Sequence, residues 1–363
     1  MKMTRADIKK FLNSGALFGT GRDGVSIGWG SFIWKENRDP LSPAFYAPDF
    51  FLREPRPWLQ FENHIDISNN EISSLMRLIV DEVSAFAGSH HRKSRPMIWS
   101  EPDKTVFEQF FYNLKKRIGE GSLIKGVPYS FATARYGVDP GLIGSMLLSL
   151  LRYSSESSVW PYGFWTEGSG ILGASPEMLL FSNEAGLLNS MALAGSCGDT
   201  DLDGFMKNQK ELHEHSVVVD TISEVLSRFG RVKASEMEIR RFPGISHMMT
   251  PIKVVKDNFV DFDEVVIALH PTPALGAFPK EQGLKWLEIL NETVPRRRFG
   301  APFGFFPAGN KCYSCVVAIR NVQWQDAELK IGAGCGVVAE SELEREWAEL
   351  HLKLSSVRRM LGL

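Results

Sequence analysis

The sequence predicts an α+β fold in one continuous unit. Three observations carry this. Strand-like runs and amphipathic helical stretches alternate along the chain, no internal repeat or linker divides it, and 363 residues suit one large domain or two ordinary ones.

The first hundred residues are rich in aromatics, glycine and proline, with short strand-like runs such as Val25–Trp29. Glu71 to Ala87 reads as a helix, because Ile72, Leu75, Leu78, Ile79 and Val83 recur at helical spacing. Phe107 to Ile118 reads as another, ended by Gly119 and Gly121. From Lys125 onward strands and helices alternate: Gly170 to Phe181 is strand-like, Met206 to Phe229 is helical, and Trp286 sits in a further helix. Cys315 to Trp324 and Leu329 to Val338 pattern as a hairpin joined near Gln325 and Asp326. Leu343, Trp347, Leu350, Leu354, Val357 and Leu361 give a final helix from Ser341 to Met360, with Ser341 and Glu344 spaced as a capping box.

Composition excludes several classes. Hydrophobic content of 44%, charged content of 23% and a net charge of -2 describe an ordinary globular chain with no general attraction to nucleic acid or anionic lipid. Met1 to Thr20 does not read as a signal peptide, and no apolar stretch is long enough to span a membrane. Four cysteines, Cys197, Cys312, Cys315 and Cys335, are too few for a disulfide scaffold, and the expected compartment is the reducing cytoplasm. The Cys312–Cys315 pair lacks the second ligand pair of a zinc site.

Two patterns are decoys. Gly19 to Gly24 matches GxGxxG, but a strand follows where a dinucleotide site needs a helix, so a hairpin turn is expected. Arg296-Arg297-Arg298 and the run His90 to Arg95 are basic clusters expected to be solvated loops.

Chemistry concentrates on two helices. Glu346, Glu349 and Lys353 share one face of the last helix, bordering its apolar stripe. In His213-Glu214-His215, Glu214 lies on a stripe with Val218, Thr221 and Val225, and a carboxylate there needs a counter-charge. Two acidic helical faces suit Mg²⁺, which takes few protein carboxylates and keeps positions for other oxygens. The flanking histidines point to different faces, which argues against zinc. Loops supply further candidates. Glu177 lies at the turn of Gly173-Ala174-Ser175-Pro176-Glu177, where an exposed side chain is the plain expectation. Gly195 and Ser196 offer free backbone N–H groups, and His270, Thr272, Ala274 and Leu275 lie in a stiff loop able to line a pocket. Gly334 permits close backbone approach, and Arg320, on strand parity with Val322 and Trp324, can grip a carboxylate.

In this order GASPE, ALAGS, HEH, HPTPAL, the arginine of VVAIR, GAGCGVV and EREWAEL resemble the chorismate-utilising enzymes, from about Lys125 onward. The family comprises isochorismate, salicylate, anthranilate and aminodeoxychorismate synthases. The resemblance implies two large antiparallel β-sheets packed together with helices on the outside. It implies a single chorismate-binding unit over 1–363, with a diverged N-terminal part (1–115) and a catalytic core (116–363). It also implies Mg²⁺ on Glu214 and Glu346, with Glu349 beside them, and carboxylates of chorismate held by Arg320, Lys353 and backbone near Gly334 and Gly195.

Branch features favour isochorismate synthase. The DLxRND stretch of the anthranilate branch is replaced by Val218 to Ser223, the position of a nucleophilic lysine in some aminodeoxychorismate synthases is Ala194, and HPTPAL and HEH have the isochorismate-synthase form. On this resemblance Lys125 is the base that activates water for attack at C2 of chorismate, and Glu177 is the acid that protonates the departing C4 hydroxyl. No glutaminase subunit is expected, and a monomer is the default. Departures remain: Cys197-Gly198-Asp199 where relatives have arginine and proline, KGVPYS around Lys125, and phenylalanines at 299 and 303. A salicylate synthase, an anthranilate-type enzyme and a non-catalytic chorismate binder stay open, as does whether the product feeds menaquinone, siderophore or salicylate-type metabolites.

Overall fold

The computed structural model describes residues 3–20, 24–89, 96–166, 168–183, 187–198, 202–242, 244–255, 260–309 and 312–363. The basic run His90 to Arg95, Gly21 to Asp23 of the glycine pattern, and Asp199 lie outside them.

Helices cover the exterior: α1 (Arg5–Asn13), α2 (Asn69–Ser89), α3 (Lys104–Gly119), α4 (Pro140–Glu156), α5 (Leu202–Lys207), α6 (Gln209–Leu226), α7 (Phe262–Leu269), α8 (Lys280–Thr293) and α9 (Leu343–Leu361). Among the described residues, 17 strands join one antiparallel hydrogen-bonded network. From the edge strand Trp99–Ser100, pairing runs through 129–135, 328–334, 321–325, 169–175, 160–166 and 15–19 to the long strand Gly24–Lys35. It continues through 58–68, 44–46, 302–306, 313–317, 178–182, 187–197 and 245–255. Gly24–Lys35 carries a register shift between Trp29 and Phe32, where one extra residue bends the ribbon.

The ribbon folds over, so its two halves face each other. Ala16, Phe18, Tyr162, Phe164 and Ile171 of one half pack in a single buried cluster with Phe45, Leu59, Phe303, Phe305 and Val316 of the other. Phe18 stacks on Phe303 at 6.3 Å and Tyr162 meets the same ring at 5.1 Å. The two packed antiparallel sheets expected from the resemblance are therefore present. Gly19 pairs with Val25 across the glycine pattern, so it joins two strands of a hairpin rather than opening a helix.

Several expectations change in detail. The helix expected over Met206–Phe229 breaks at Asn208, whose side chain accepts from Glu211 N and caps α6. The strand expected over Cys315–Trp324 is two strands, 313–317 and 321–325, which belong to different halves of the ribbon and are linked by a bend. Arg320 lies in that bend at φ 56, not on a strand. Ser341 does not cap α9; its Oγ accepts from Val338 N, and the residue before the helix, Glu342, makes no side-chain cap. Arg296 is fully buried rather than solvated, its guanidinium 3.4 Å from the Phe50 ring centroid and 4.4 Å from that of Tyr129. Cys312, Cys315 and Cys335 are free thiols. No helix among the described residues is long and apolar enough to cross a membrane.

Candidate active site

A cleft opens where both halves of the ribbon meet α6 and α9. Glu177, Gly195, Ser196, Glu214, Ala274, Leu275, Arg320, Gly334 and Lys353 line it, with His247 and Phe299. Lys125, His270, Thr272, Glu346 and Glu349 are not among its lining residues.

Glu177 follows the strand Ser169–Ser175 in a turn held by its neighbours. Ser175 Oγ accepts from Glu177 N at 3.1 Å and donates to Val317 O at 2.6 Å, while Val317 N donates to Glu177 O at 3.0 Å. The turn thus points inward, and Glu177 is only 2% exposed, against the expectation of an exposed turn residue. Its Oε1 is buried without a hydrogen-bond partner. Burial raises this carboxyl to about 8, with Lys125, Lys353 and the Thr272 hydroxyl opposing the shift. At neutral pH it carries its proton.

Opposite, α6 and α9 bring carboxylates together. The buried face of α6 is Glu211, Glu214, His215, Val218, Ile222 and Leu226, one step round from the stripe expected for Thr221 and Val225. Lys210 Nζ lies 3.0 Å from Glu211 Oε1, 3.1 Å from Glu214 Oε2 and 3.0 Å from Glu346 Oε1. Lys125 Nζ approaches the other Glu214 oxygen at 3.2 Å and donates to Pro273 O at 2.7 Å. Burial alone would raise Glu214, but Lys125 and Lys210 outweigh it and hold the carboxylate down at about 2. Glu346 rises to about 7, because burial and the neighbouring Glu349 charge outweigh Lys210.

The remaining ligand candidates are held from behind. Lys353 Nζ bonds Glu349 at 2.6 Å and Gly334 O at 2.8 Å. Lys125 is fully buried, in a short strand that pairs Phe278 with Lys125 and Ala277 with Gly126. Gly126 also bridges Val337 on its other side. Burial pushes the Lys125 ammonium down while Glu214 resists. A side chain at Gly336 would overlap Glu214 Oε1, so only glycine lets this backbone lie against the carboxylate. Gly195 occupies a bulge at φ 78 with Glu211 Oε2 beside it, and Ser196 N donates to that oxygen at 3.1 Å.

Arg320 reaches the cleft from its bend. Its Nη2 donates to His247 Nε2 at 3.0 Å, which leaves Nδ1 as the protonated nitrogen, 2.9 Å from Ser196 Oγ and 3.2 Å from Gly195 O. Burial and the adjacent Arg320 charge keep this histidine neutral. His270 is turned away from the cleft: its Nε2 donates to Phe50 O at 2.6 Å, and burial lowers it to about 3. It anchors the loop that supplies Ala274 and Leu275 instead of touching a ligand there. Of the two histidines flanking Glu214, His213 lies at the surface by Glu340, and His215 ties α6 to Ala194 O at 3.1 Å and Thr250 Oγ1 at 2.8 Å. They face apart, as the spacing required.

The donor set suits a hard divalent cation. Oxygens of Glu211, Glu214 and Glu346 already surround one cationic atom, and the second oxygen of Glu346 is buried with no partner. Glu349 and the Cys335 thiol lie within 4.8 Å of Glu346. Sequence reasoning missed Lys210, Glu211 and His247. Lys210 sits four residues before Glu214, a spacing that signals a shared face; no local pattern marks His247.

Residues 65–362 match the family described as chorismate binding enzymes. The chain belongs to that family. It is 31% identical over 279 residues to isochorismate synthase EntC of Escherichia coli (strain K12), covering 72% of this chain and 68% of the relative. It is 34% identical over 206 residues to the salicylate biosynthesis isochorismate synthase of Pseudomonas aeruginosa, covering 53% of this chain but 42% of that protein. The fold is shared with MenF, the menaquinone-specific isochorismate synthase of Escherichia coli, at TM-score 0.76 and 17% identity over 99% of this chain and 91% of that one. Anthranilate synthase component I of Streptococcus pneumoniae is similar at TM-score 0.69 and 15% identity, over 90% and 82% of the two chains.

Proposed function

We propose that this chorismate-family protein is an isochorismate synthase, converting chorismate to isochorismate by addition of water at C2 and loss of the C4 hydroxyl. The observation that carries the reading is Glu177: a carboxyl on the cleft wall, raised to about 8 by burial, is a general acid at neutral pH. Lys125 is the matching base. Burial lowers its ammonium against the opposing pull of Glu214 at 3.2 Å, and Pro273 O fixes the direction of its Nζ. Water loses a proton to Lys125 as its oxygen bonds to C2, the ring double bonds move, and Glu177 gives its proton to the departing hydroxyl.

Arg320, oriented by neutral His247, and Lys353, pinned by Glu349, place positive charge on the cleft for the substrate carboxylates. Ser196 and the Gly195 bulge shape the floor, while Ala274, Leu275 and Phe299 give the ring an apolar wall. Glu214 and Glu346, with Glu349 beside them, would hold Mg²⁺, which when bound neutralises the ring carboxylate and stabilises developing charge. Water rather than ammonia is the nucleophile, and no glutaminase partner is invoked.

The test is product analysis of purified protein given chorismate and Mg²⁺, with and without ammonia. Isochorismate in both reactions is the expected outcome. Salicylate with pyruvate, anthranilate appearing only with ammonia, or binding without turnover would each replace this reading.

A further inference from the structure

Lys210 stands in the position that a divalent cation would need. Its ammonium contacts carboxylates of Glu211, Glu214 and Glu346 at 3.0 to 3.1 Å, drawing on both helices. It does so against its own helix. Lys210 is the second residue of α6, where the helix dipole disfavours a cation. The carboxylates supply the compensation: burial alone would depress this ammonium, yet Glu214, Glu346, Glu349 and Glu211 hold it raised. Without it, four carboxyl groups would converge with Lys125, Lys353 and Arg320 at their margins, and like-charge repulsion within the cluster would grow.

From this geometry we infer that Lys210 is a built-in counter-ion of the metal-free enzyme, which yields its place when the divalent cation binds. A cation held by Glu214 and Glu346 would lie among the carboxylates that Lys210 engages through Glu214 Oε2 and Glu346 Oε1, and two positive centres repel strongly at that separation. The side chain has an exit. Its side chain, 15% exposed, leaves the first turn of α6, next to exposed Lys207 and Gln209 and the break at Asn208. Lys210 therefore keeps the carboxylates assembled before metal arrives and weakens apparent metal affinity, since its ion pairs must be given up. It is a positioning residue and has no contact with substrate to make. This inference rests on the metal reading above.

The experiment measures Mn²⁺ binding by the free-ion electron paramagnetic resonance signal, in wild type and Lys210→Met, without substrate. Lys210→Met is expected to bind Mn²⁺ about tenfold tighter or more, and to melt at lower temperature than wild type in chelator, the gap closing in saturating Mg²⁺. Acetic anhydride footprinting of wild type needs no variant: Mg²⁺ should raise modification of Lys210 several-fold relative to exposed Lys285. Lys210→Gln repeats the binding measurement with a polar neutral side chain if the methionine variant folds poorly. Unchanged or weaker Mn²⁺ binding in the variants, or Lys210 labelling indifferent to Mg²⁺ in a protein that binds it, overturns the inference alone. No Mn²⁺ binding by any of the proteins overturns it together with the metal reading.

Discussion

The cleft buries two of its carboxyl groups, Glu214 and Glu177, in opposite ways. On the α6–α9 wall carboxylates are crowded among cations, and Glu214, with ammonium groups at 3.1 and 3.2 Å, stays ionised down to about 2. On the turn after Ser175, Glu177 makes no ion pair among the described residues; burial outweighs the more distant Lys125 and Lys353, and it keeps its proton up to about 8. The residue type is the same and burial is similar; Glu214 touches two cations and Glu177 makes no ion pair, whereas Glu346, which touches Lys210 but has Glu349 beside it, still rises to about 7. A crowded wall suits charge that must persist, and a solitary carboxyl suits a proton that must be given away.

The largest expected effect sharpens that contrast. Glu177→Gln and Lys125→Ala should each lower kcat by about a thousandfold or more, while Glu177→Gln leaves Mn²⁺ binding intact. Near-normal turnover in either variant, measured by isochorismate release, would remove that residue from its role. Glu214→Gln should cost about 3 kcal/mol in urea unfolding, because Lys125 and Lys210 lose a buried partner; Glu177→Gln, with no ion pair to break, should stay within about 1 kcal/mol. Equal costs would mean that the walls do not differ as described.

A smaller effect appears in pH dependence. Only protonated Glu177 can act as the acid, so kcat/KM should fall as pH rises through about 8, and residual turnover in Glu177→Gln should lack that limb. A wild-type profile flat to pH 9.5 would sink the assignment. The smallest effects divide the two histidines around Glu214. His215→Ala should cost about 1 to 3 kcal/mol, since Ala194 O and Thr250 Oγ1 lose a buried partner. His213→Ala, at the surface by Glu340, should stay within about 0.5 kcal/mol.

The crowded wall was more legible in the sequence than the solitary one. Helical periodicity places Glu346, Glu349 and Lys353 on one face, and the same rule puts Glu214 inward, so the need for positive charge followed from spacing. That the charge is Lys210 did not follow, since a lysine in a first turn reads as solvated until a second helix is brought against it. Glu177 read locally as an exposed turn residue; its burial depends on Ser175 and Val317, joined only by tertiary pairing. Arg320 and His247 were hidden for related reasons. A left-handed bend interrupts what patterns as one strand, and the histidine's role exists only where strands from distant parts of the chain converge. The packed sheets were legible through the ordered family motifs, whereas apolar alternation alone indicated only mixed α and β.

Lys125 sits in a two-residue strand held on one side by Ala277 and Phe278 and on the other by Val337, with its ammonium against Glu214. The candidate base is thus seated by segments translated long after it. A chain emerging from the ribosome carries Lys125 and Glu177 early, yet they cannot act as a pair until the segment through Gly336 and α9 has been made and docked. On this reading catalytic competence would arrive late in the protein's synthesis, once Val337 and α9 are in place beside Lys125.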